Sequence, residues 1–458
     1  LVYMNEFAFK GILQNNGWVV DVNIQTDGKG VIKSISSGVK DKSIYSGYAL
    51  PGFQNAHSHA FQYAMAGLAE LHSPRPNQND FWSWRKSMYM LALKISPDQM
   101  ESISALLYKE MLRNGYTHVA EFHYLHHDSK GNHYNNLSEM GERLISGAKK
   151  AGIKITLIPI FYQRGGFGKT AEAEQCRFIS KTYNDYMALF EASKKSTSYH
   201  SHASVGIGIH SLRAVDADNV IRLSKEKTSR TPLHIHISEQ LKEIEDCEAF
   251  LGQRPVDWLA NHVKINEDFH LVHATHLIDK EVKQIALSNA NVVLCPSTEG
   301  NLGDGLFPMK SFLKQQGRWS IGTDSHIGIN PLEEIRILDY GQRLVTHNRN
   351  TFGNEKTGNN GHIAIGNALI NGRKAMGIDH SNYFEVGQPL DALVVSESHP
   401  LIASASPKNR CNTIIYAGDT SMFKGTIVNG KWVVESGVHE DSEIDNHFLK
   451  TLNQLKVR

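Results

Sequence analysis

The chain has 458 residues, a length at which one large domain accompanied by a smaller one is expected. Hydrophobic residues make up 40% of it and charged residues 21%, which excludes disordered and fibrous proteins and is typical of a globular one. The formal net charge of +1 gives no reason to expect nucleic acid or a charged membrane surface as a partner.

The first stretch, to about residue 48, alternates apolar and polar residues between turn signals, which predicts antiparallel strands joined by hairpins. The same pattern returns late in the chain, at residues 391–395, 413–416 and 426–434. We therefore expect residues 1–48 and 386–437 to form one small β-sandwich domain from both termini. The polar residues 438–458 are predicted to form a C-terminal helical tail.

Between these ends, over residues 49–385, short β-branched runs alternate with helix-like segments. The runs lie at residues 50–53, 118–122, 154–160, 205–209, 233–237, 269–272, 292–294 and 319–321. Eight such units over about 280 residues match a parallel (β/α)₈ barrel, in which function is located on loops at the C-terminal ends of the strands.

Candidate chemical residues occur where these runs end. They are His57 and His59 after the first run, Tyr124 after the second, His210 after the fourth, His236 and Glu239 at the fifth, His273 at the sixth and Asp324 at the eighth. Random placement would scatter them over both ends of a barrel, so the sequence predicts one site at its C-terminal mouth. His126, His127 and His133 lie in a polar stretch and are expected to be solvated.

Four of these residues form a metal-ligand set. His57 and His59 are two positions apart, so their side chains leave a strand on the same face. With His236 and Asp324 they supply three imidazoles and one carboxylate, which suit zinc or another borderline divalent ion. Such an ion lowers the pKa of a bound water and supplies hydroxide near neutral pH. Residues 205–213 contain no lysine or glutamate to bridge two ions, so we predict one divalent ion per chain, with zinc expected.

Three residues are predicted to assist the reaction. Glu239 is placed to carry a proton between nucleophile and leaving group, although a surface glutamate that opens a helix has the same spacing. Asp324 would accept a proton from the water besides binding the ion. His273 would polarise the attacked centre or orient hydroxide, and a structural role fits its spacing equally well.

The opening Pro-Gly-Phe-Gln-Asn-Ala-His-Ser-His at residues 51–59, together with His236, Glu239, His273 and Asp324, resembles the amidohydrolase superfamily over the whole chain. Within it, the sequence is most similar to the N-formimino-L-glutamate deiminases of histidine degradation. The similarity is carried by residues 57–62, 81–85, 121–124, 208–213 and 234–240. This resemblance implies hydrolysis of the formimino group to N-formyl-L-glutamate and ammonia, and a homodimer.

The resemblance also implies Gln62, Arg85, Tyr124, His210 and Arg213 as substrate contacts. The chemistry agrees, because formiminoglutamate has two carboxylates, which arginine forks and a tyrosine hydroxyl can bind. Each arginine considered alone fits a solvated surface cation better, but their placement beside strand loops favours the cavity. His210 fits either a neutral donor to substrate or a structural hydrogen bond.

Two alternatives remain open. One is an aminohydrolase of the same superfamily that acts on a ring such as guanine or an adenosine derivative; a neutral flat substrate would favour aromatic stacking over two arginines. The other is a non-catalytic scaffold, which would be expected to have lost ligands that this chain retains.

The sequence also bears on location. No apolar run approaches the roughly 18 residues that span a bilayer, and the first residues lack signal-peptide features. The cysteines are widely separated, which does not suggest a disulfide framework. They are Cys176, Cys247, Cys295 and Cys411. We therefore expect a protein of the reducing cytoplasm, with no membrane partner.

Overall fold

The computed structural model describes residues 4–39, 45–70, 81–353 and 358–456. The N-terminal strands are β1 (Met4–Gln14), β2 (Gly17–Asp27), β3 (Ile32–Ser37) and β4 (Tyr48–Pro51). They are followed by β5 (Phe53–Ser58), β6 (Tyr116–His123), β7 (Lys154–Phe161), β8 (Ala203–Val205), β9 (Ile207–Ser211), β10 (Leu233–Ile237), β11 (Phe269–His273), β12 (Asn291–Leu294) and β13 (Arg318–Ile321). The C-terminal strands are β14 (Ala392–Val395), β15 (Phe423–Val428), β16 (Lys431–Glu435) and β17 (Val438–His439).

Helices separate the central strands and cover the outside of the barrel. They are α1 (Phe81–Ala92), α2 (Pro97–Arg113), α3 (Glu139–Ala151), α4 (Tyr183–Ser198), α5 (Ala217–Glu226), α6 (Leu241–Leu251), α7 (Pro255–His262), α8 (Asp279–Ser288), α9 (Pro296–Leu302), α10 (Met309–Lys314), α11 (Pro331–Thr346) and α12 (Asn360–Ala375). Three more follow near the C-terminus: α13 (Pro400–Ser404), α14 (Arg410–Ala417) and α15 (Glu443–Leu455). Short 3₁₀ helices lie at Ala60–Met65, Leu68–Glu70, Ala173–Gln175 and Thr420–Met422.

The terminal strands join in one sheet with the order β17-β16-β15-β14-β4-β1-β2-β3. Strands β1 and β2 form a long antiparallel hairpin, and β4 connects the two ends of the chain by pairing with β1 on one side and β14 on the other. The predicted β domain built from both termini is therefore confirmed. The strand predicted at residues 413–416 is wrong, because these residues belong to helix α14, where Ile414 and Ile415 are buried. Short apolar runs do not distinguish a strand from a buried helix.

The central strands form a parallel barrel with the order β5-β6-β7-β9-β10-β11-β12-β13, and β8 pairs separately with β7. The last strand meets the first through a parallel bridge between Ser58 and Asp324. The backbone N–H groups of Thr323 and Asp324 donate to His57 O at 3.0 and 3.1 Å. The predicted (β/α)₈ barrel is confirmed, and its closure brings the end of the eighth strand beside the first.

A single glycine separates the two sheets at the point where β4 ends and β5 begins. A Cβ on Gly52 would lie 2.2 Å from Thr117 Cγ2, so only glycine fits this close approach. The first barrel strand runs over Phe53–Ser58 rather than the predicted 50–53. Its second half, Ala-His-Ser, has no β-branched residue to indicate a strand, and His57 therefore lies inside the strand instead of after it.

Helix α15 packs on helix α2, where Lys109 Nζ contacts Asp445 Oδ1 at 2.7 Å. All four cysteines are free thiols, and three of them, Cys247, Cys295 and Cys411, are buried. Over the described residues, every helix is too short or too polar to cross a bilayer.

Candidate metal centre and substrate cavity

Barrel closure gathers the predicted metal ligands at the C-terminal mouth of the barrel. His57 Nε2 lies 3.1 Å from His59 Nε2 and 3.1 Å from His236 Nε2. Asp324 Oδ1 lies 3.3 Å from His57 Nε2 and 3.1 Å from His59 Nε2. All four side chains are buried. Residues that are 267 positions apart in sequence, from His57 to Asp324, therefore converge on one point.

Hydrogen bonds at Nδ1 determine whether the Nε2 atom of each imidazole carries a hydrogen or a lone pair. His59 Nδ1 donates to Phe122 O at 2.8 Å, and His236 Nδ1 donates to His210 O at 3.0 Å. Their Nε2 atoms therefore carry lone pairs and cannot donate to one another. Ligands held about 2.0–2.1 Å from a tetrahedral ion lie about 3.3 Å apart, close to the spacing seen here. The residues fit a divalent cation.

The charge states of the cluster agree with that fit. Burial lowers the pKa of His57 to about 3 and holds the pKa of His236 well below its usual value, so both rings are neutral. Burial acts to raise the pKa of Asp324, but its close contacts with the His57 and His59 rings hold that pKa well below its usual value. Neutral imidazoles and an ionised carboxylate are the forms in which these side chains bind metals.

His273 lies at the edge of this cluster. One potential ligand atom from each of His57, His236, His273 and Asp324 lies within 4.8 Å of the others. His273 Nε2 is 4.0 Å from both Glu239 Oε1 and Asp324 Oδ2, and its Nδ1 is 3.3 Å from Glu299 Oε1. Burial lowers the pKa of His273, but the surrounding carboxylates outweigh it and raise that pKa to about 10. A protonated ring is a donor rather than a metal ligand.

Residues at three strand ends adopt left-handed backbone conformations that favour glycine. They are Ser238 (φ 52°), His273 (φ 67°) and Asp324 (φ 44°). Such conformations cost free energy and persist where the surrounding structure enforces them, most often at functional sites. Here they lie at or just after the ends of β10, β11 and β13, the strands that place His236, His273 and Asp324.

Glu239 is buried and lies two residues before helix α6 begins. It is therefore not the surface glutamate that its spacing also allowed. Its Oε2 lies 3.5 Å from Arg213 Nη2. Glu243, one turn later, accepts the backbone N–H groups of Ser238 and Glu239 at 3.3 and 3.1 Å, and contacts Arg213 Nη1 at 3.2 Å. Glu243 thereby holds both Glu239 and Arg213. Sequence reasoning missed it.

A cavity opens beside the cluster. All five predicted substrate contacts line it, namely Gln62, Arg85, Tyr124, His210 and Arg213. The wall also contains residues that sequence reasoning missed: Trp84, Met88, Tyr89, Tyr162 and Leu302. Residues 84, 85, 88 and 89 share one face of helix α1, so the spacing around Arg85 was the available signal.

Polar groups of this wall are already oriented. Gln62 Nε2 donates to the Tyr124 hydroxyl at 2.9 Å, and Gln62 Oε1 is buried without a partner among the described residues. Burial and then the neighbouring Arg213 hold the pKa of His210 well below its usual value, so this ring is neutral. Gln62 therefore presents an acceptor to the cavity, and the neutral His210, whose Nδ1 lies 3.0 Å from Ser211 Oγ, carries one N–H.

A second set of residues supports the metal-binding segment. Glu121 accepts hydrogen bonds from Ser58 Oγ at 2.6 Å, Ala60 N at 2.6 Å and Tyr108 OH at 2.9 Å. His326 contacts Ser58 Oγ at 3.3 Å and Thr323 Oγ1 at 2.9 Å. The Glu121 bonds connect the first barrel strand to the second, and the His326 contacts connect the first strand to the segment after the last one.

The expectation that His126 and His127 are solvated is wrong. Both are buried, and their Nε2 atoms contact Ile160 O at 3.1 Å and Ile179 O at 3.0 Å. Backbone carbonyls of strand β7 and of a loop distant in sequence contact these rings, which local polarity does not reveal. His133 is exposed, as expected.

The chain is similar to known proteins over nearly its whole length. The model of the amidohydrolase family matches residues 48–433. A formimidoylglutamate deiminase from Pseudomonas aeruginosa is 40% identical over 453 residues, which cover 98% of this chain and 99% of that protein. The crystal structure of an amidohydrolase from Brucella melitensis is 37% identical, with a TM-score of 0.91 over 99% of this chain and 100% of that chain. An adenosine deaminase from Xanthomonas campestris with bound zinc is 19% identical, with a TM-score of 0.80 over 99% of this chain and 98% of that chain, a likeness of fold.

Proposed function

The chain belongs to the amidohydrolase family, and we propose that it hydrolyses N-formimino-L-glutamate to N-formyl-L-glutamate and ammonia. One observation carries the proposal: Arg85, Tyr124 and Arg213 line the same cavity as the imidazole–carboxylate cluster. The deiminase from Pseudomonas aeruginosa, at 40% identity over nearly the whole chain, supports the same substrate.

The proposed cofactor is one divalent ion, zinc, held by His57, His59, His236 and Asp324. When bound, such an ion lowers the pKa of a water molecule and makes a nucleophile available near neutral pH. The lone pairs that the imidazoles present and the ionised carboxylate support this assignment.

In the proposed reaction, water oxygen bonds to the formimino carbon and the terminal nitrogen leaves as ammonia. Glu239 carries a proton from the nucleophile to that nitrogen, and Asp324 accepts a proton from the attacking water. Arg213, 3.5 Å from Glu239, keeps this carboxylate turned toward the cavity. His273, protonated by its carboxylate neighbours, donates a hydrogen bond to the substrate.

The substrate's two carboxylates are assigned to Arg85 and Arg213, with Tyr124 as an additional hydroxyl donor. The neutral His210 donates to the substrate, and the unpartnered Gln62 Oε1 accepts an N–H of the substrate. A neutral ring substrate would bring no carboxylates for these two arginines to bind, which disfavours the ring-deaminase alternative.

We further propose that the enzyme works in the cytoplasm as a homodimer. The free thiols support a reducing compartment. The family resemblance supports the dimer.

The test is ammonia release from formiminoglutamate by purified protein of measured metal content. Guanine and adenosine are assayed in parallel. Turnover of formiminoglutamate alone supports the proposal, whereas turnover of a ring substrate alone would replace it with the ring-deaminase alternative. Absence of metal and of turnover on all three would favour a scaffold.

A further inference from the structure

Three buried side chains that the proposed mechanism does not use form a hydrogen-bond network at the cavity wall. Gln175 Nε2 lies 2.7 Å from the Tyr162 hydroxyl and 3.1 Å from the Tyr89 hydroxyl. The two hydroxyl oxygens are 3.3 Å apart. Gln175 is fully buried, and both tyrosines line the cavity. The network therefore sits between the protein interior and the space for substrate.

The orientation of the Gln175 amide follows from its other contact. Gln175 Oε1 accepts the backbone N–H of Glu172 at 2.8 Å. A backbone N–H only donates, so this atom is the amide oxygen and the NH₂ group faces the tyrosines. Each tyrosine oxygen consequently accepts one hydrogen from Gln175.

This orientation leaves one hydroxyl hydrogen without a partner. Each phenol has a single O–H, and one of the two is used between the tyrosines. Among the residues that the structure describes, no acceptor for the other hydroxyl hydrogen lies within hydrogen-bond distance. Both tyrosines line the cavity, so a molecule in the cavity can supply that acceptor. Buried hydroxyl donors are normally satisfied, so a cavity occupant is expected to supply an acceptor oxygen.

Tyr162 is the tyrosine placed to make that bond. Its ring centroid lies 4.2 Å from that of His210, which in turn lies 5.1 Å from that of His236. Two ring contacts therefore separate Tyr162 from the metal-binding cluster. Burial and the adjacent Tyr89 hold the pKa of Tyr162 well above its usual value, so the hydroxyl keeps its proton. The Tyr89 ring lies under the Arg85 guanidinium, at 5.4 Å, on the same wall.

We propose that Tyr162 donates its O–H to the substrate carboxylate that is farther from the amidine, with Tyr89 and Gln175 as positioning residues. This inference rests on the proposed function and adds a specificity-determining contact to it. The nearer carboxylate carbon is two bonds from the substituted amidine nitrogen and the farther one four bonds. The farther carboxylate therefore matches Tyr162, which is separated from the metal-binding cluster by the His210 ring.

The test compares Tyr162→Phe with the parent on three substrates. A hydrogen bond to a charged group is worth an effect of roughly 10- to 100-fold, so kcat/KM for formiminoglutamate should fall by that factor. N-formimino-4-aminobutyrate, which keeps the farther carboxylate, should lose a similar factor. N-formimino-L-2-aminobutyrate, which lacks it, should be unaffected. Equal losses on all three, or no loss on formiminoglutamate, would overturn the inference.

Tyr89→Phe provides a second variant with the same pattern and a smaller loss, because Tyr162 keeps its hydroxyl but loses a partner that positions it. Tyr183→Phe is the matched control. Its hydroxyl donates to the exposed Glu226 at 2.7 Å, outside the cavity, so the kinetics of this variant should match the parent's.

A binding measurement separates this inference from the proposed function. If the parent releases no ammonia from formiminoglutamate, the proposed function fails. Calorimetry with glutarate, a plain dicarboxylate, then tests the tyrosine contact directly. Weaker glutarate binding by Tyr162→Phe supports it, and equal binding or no binding by the parent overturns it.

Discussion

The imidazole end of the cavity and its carboxylate-binding wall are held in place by different means. At the imidazole end, His59 and His236 are oriented by backbone carbonyls of neighbouring barrel strands. At the wall, Arg213 and Tyr162 are oriented by other side chains, Glu243 and Gln175. Backbone carbonyls in a barrel move little, whereas side-chain networks can rearrange. We therefore expect substitutions at the first end to abolish activity and substitutions at the wall to reduce it by degrees.

The largest effect is expected for His236→Ala, which removes a ligand from the strand-held end. Replacing a residue that only hydrogen-bonds to a metal ligand lowers metal affinity by about 10–100-fold, so replacing the ligand itself should lower metal affinity by more than about 100-fold. Elemental analysis and ammonia release measure it. His202→Gln removes an imidazole that contacts Ile145 O outside the cavity and should keep ion and activity. A fully metallated, active His236→Ala protein would refute the ligand assignment.

The next largest effect is expected for Glu239→Gln, since Glu239 lies between the imidazole end and Arg213 of the wall. Glutamine keeps the shape but cannot carry the proton, and such losses are typically about 10²–10⁴-fold in kcat. The metal content should stay unchanged. Glu248→Gln, an exposed change on the helix that follows Glu239, should have parental kinetics. Turnover near the parent's rate would show that Glu239 transfers no proton.

A smaller, graded effect is expected at the wall. Arg213→Met should lower kcat/KM for formiminoglutamate by roughly 10- to 100-fold with the metal retained, since one charge-assisted bond is lost. Because Arg213 also contacts Glu239, kcat should fall with it, whereas Arg85→Met should mainly raise KM. Formiminoglycine should suffer less from loss of the arginine that faces the absent carboxylate. Full activity of both variants would move the ring-deaminase alternative ahead.

The smallest effect is expected for Gln62→Met, which removes a neutral hydrogen-bonding group from the wall. Its buried Oε1 has no partner among the residues described, so its acceptor capacity is available to substrate. Loss of a neutral bond is worth about 2- to 10-fold in kcat/KM. Steady-state kinetics measure this loss. A loss of kcat/KM as large as that of Glu239→Gln would contradict the expectation that substitutions at the wall reduce activity only by degrees.

Local sequence was sufficient for the strand-borne part of the site. His236 lies in a barrel strand with a visible β-branched run, and Asp324 follows the run at residues 319–321. His57 and His59 were found from their spacing of two, although β5 contains no β-branched residue. The wall was less predictable, since Tyr89, Tyr162 and Gln175 come from three separate segments and meet only through side-chain contacts. Local polarity was misleading for His126 and His127, and a short apolar run was misleading for residues 413–416.

The sequence by itself determined the alternation of strands and helices, the barrel it predicts and the ligand types at its mouth, because periodicity and strand-end position are local properties. Only the tertiary structure decided which nitrogen of each imidazole faces the centre, that Glu243 holds Glu239 and Arg213, and that Gln175 turns its amide toward two tyrosines. The physical reason is that hydrogen bonds between residues distant in sequence depend on distances and angles that exist only after the barrel has closed.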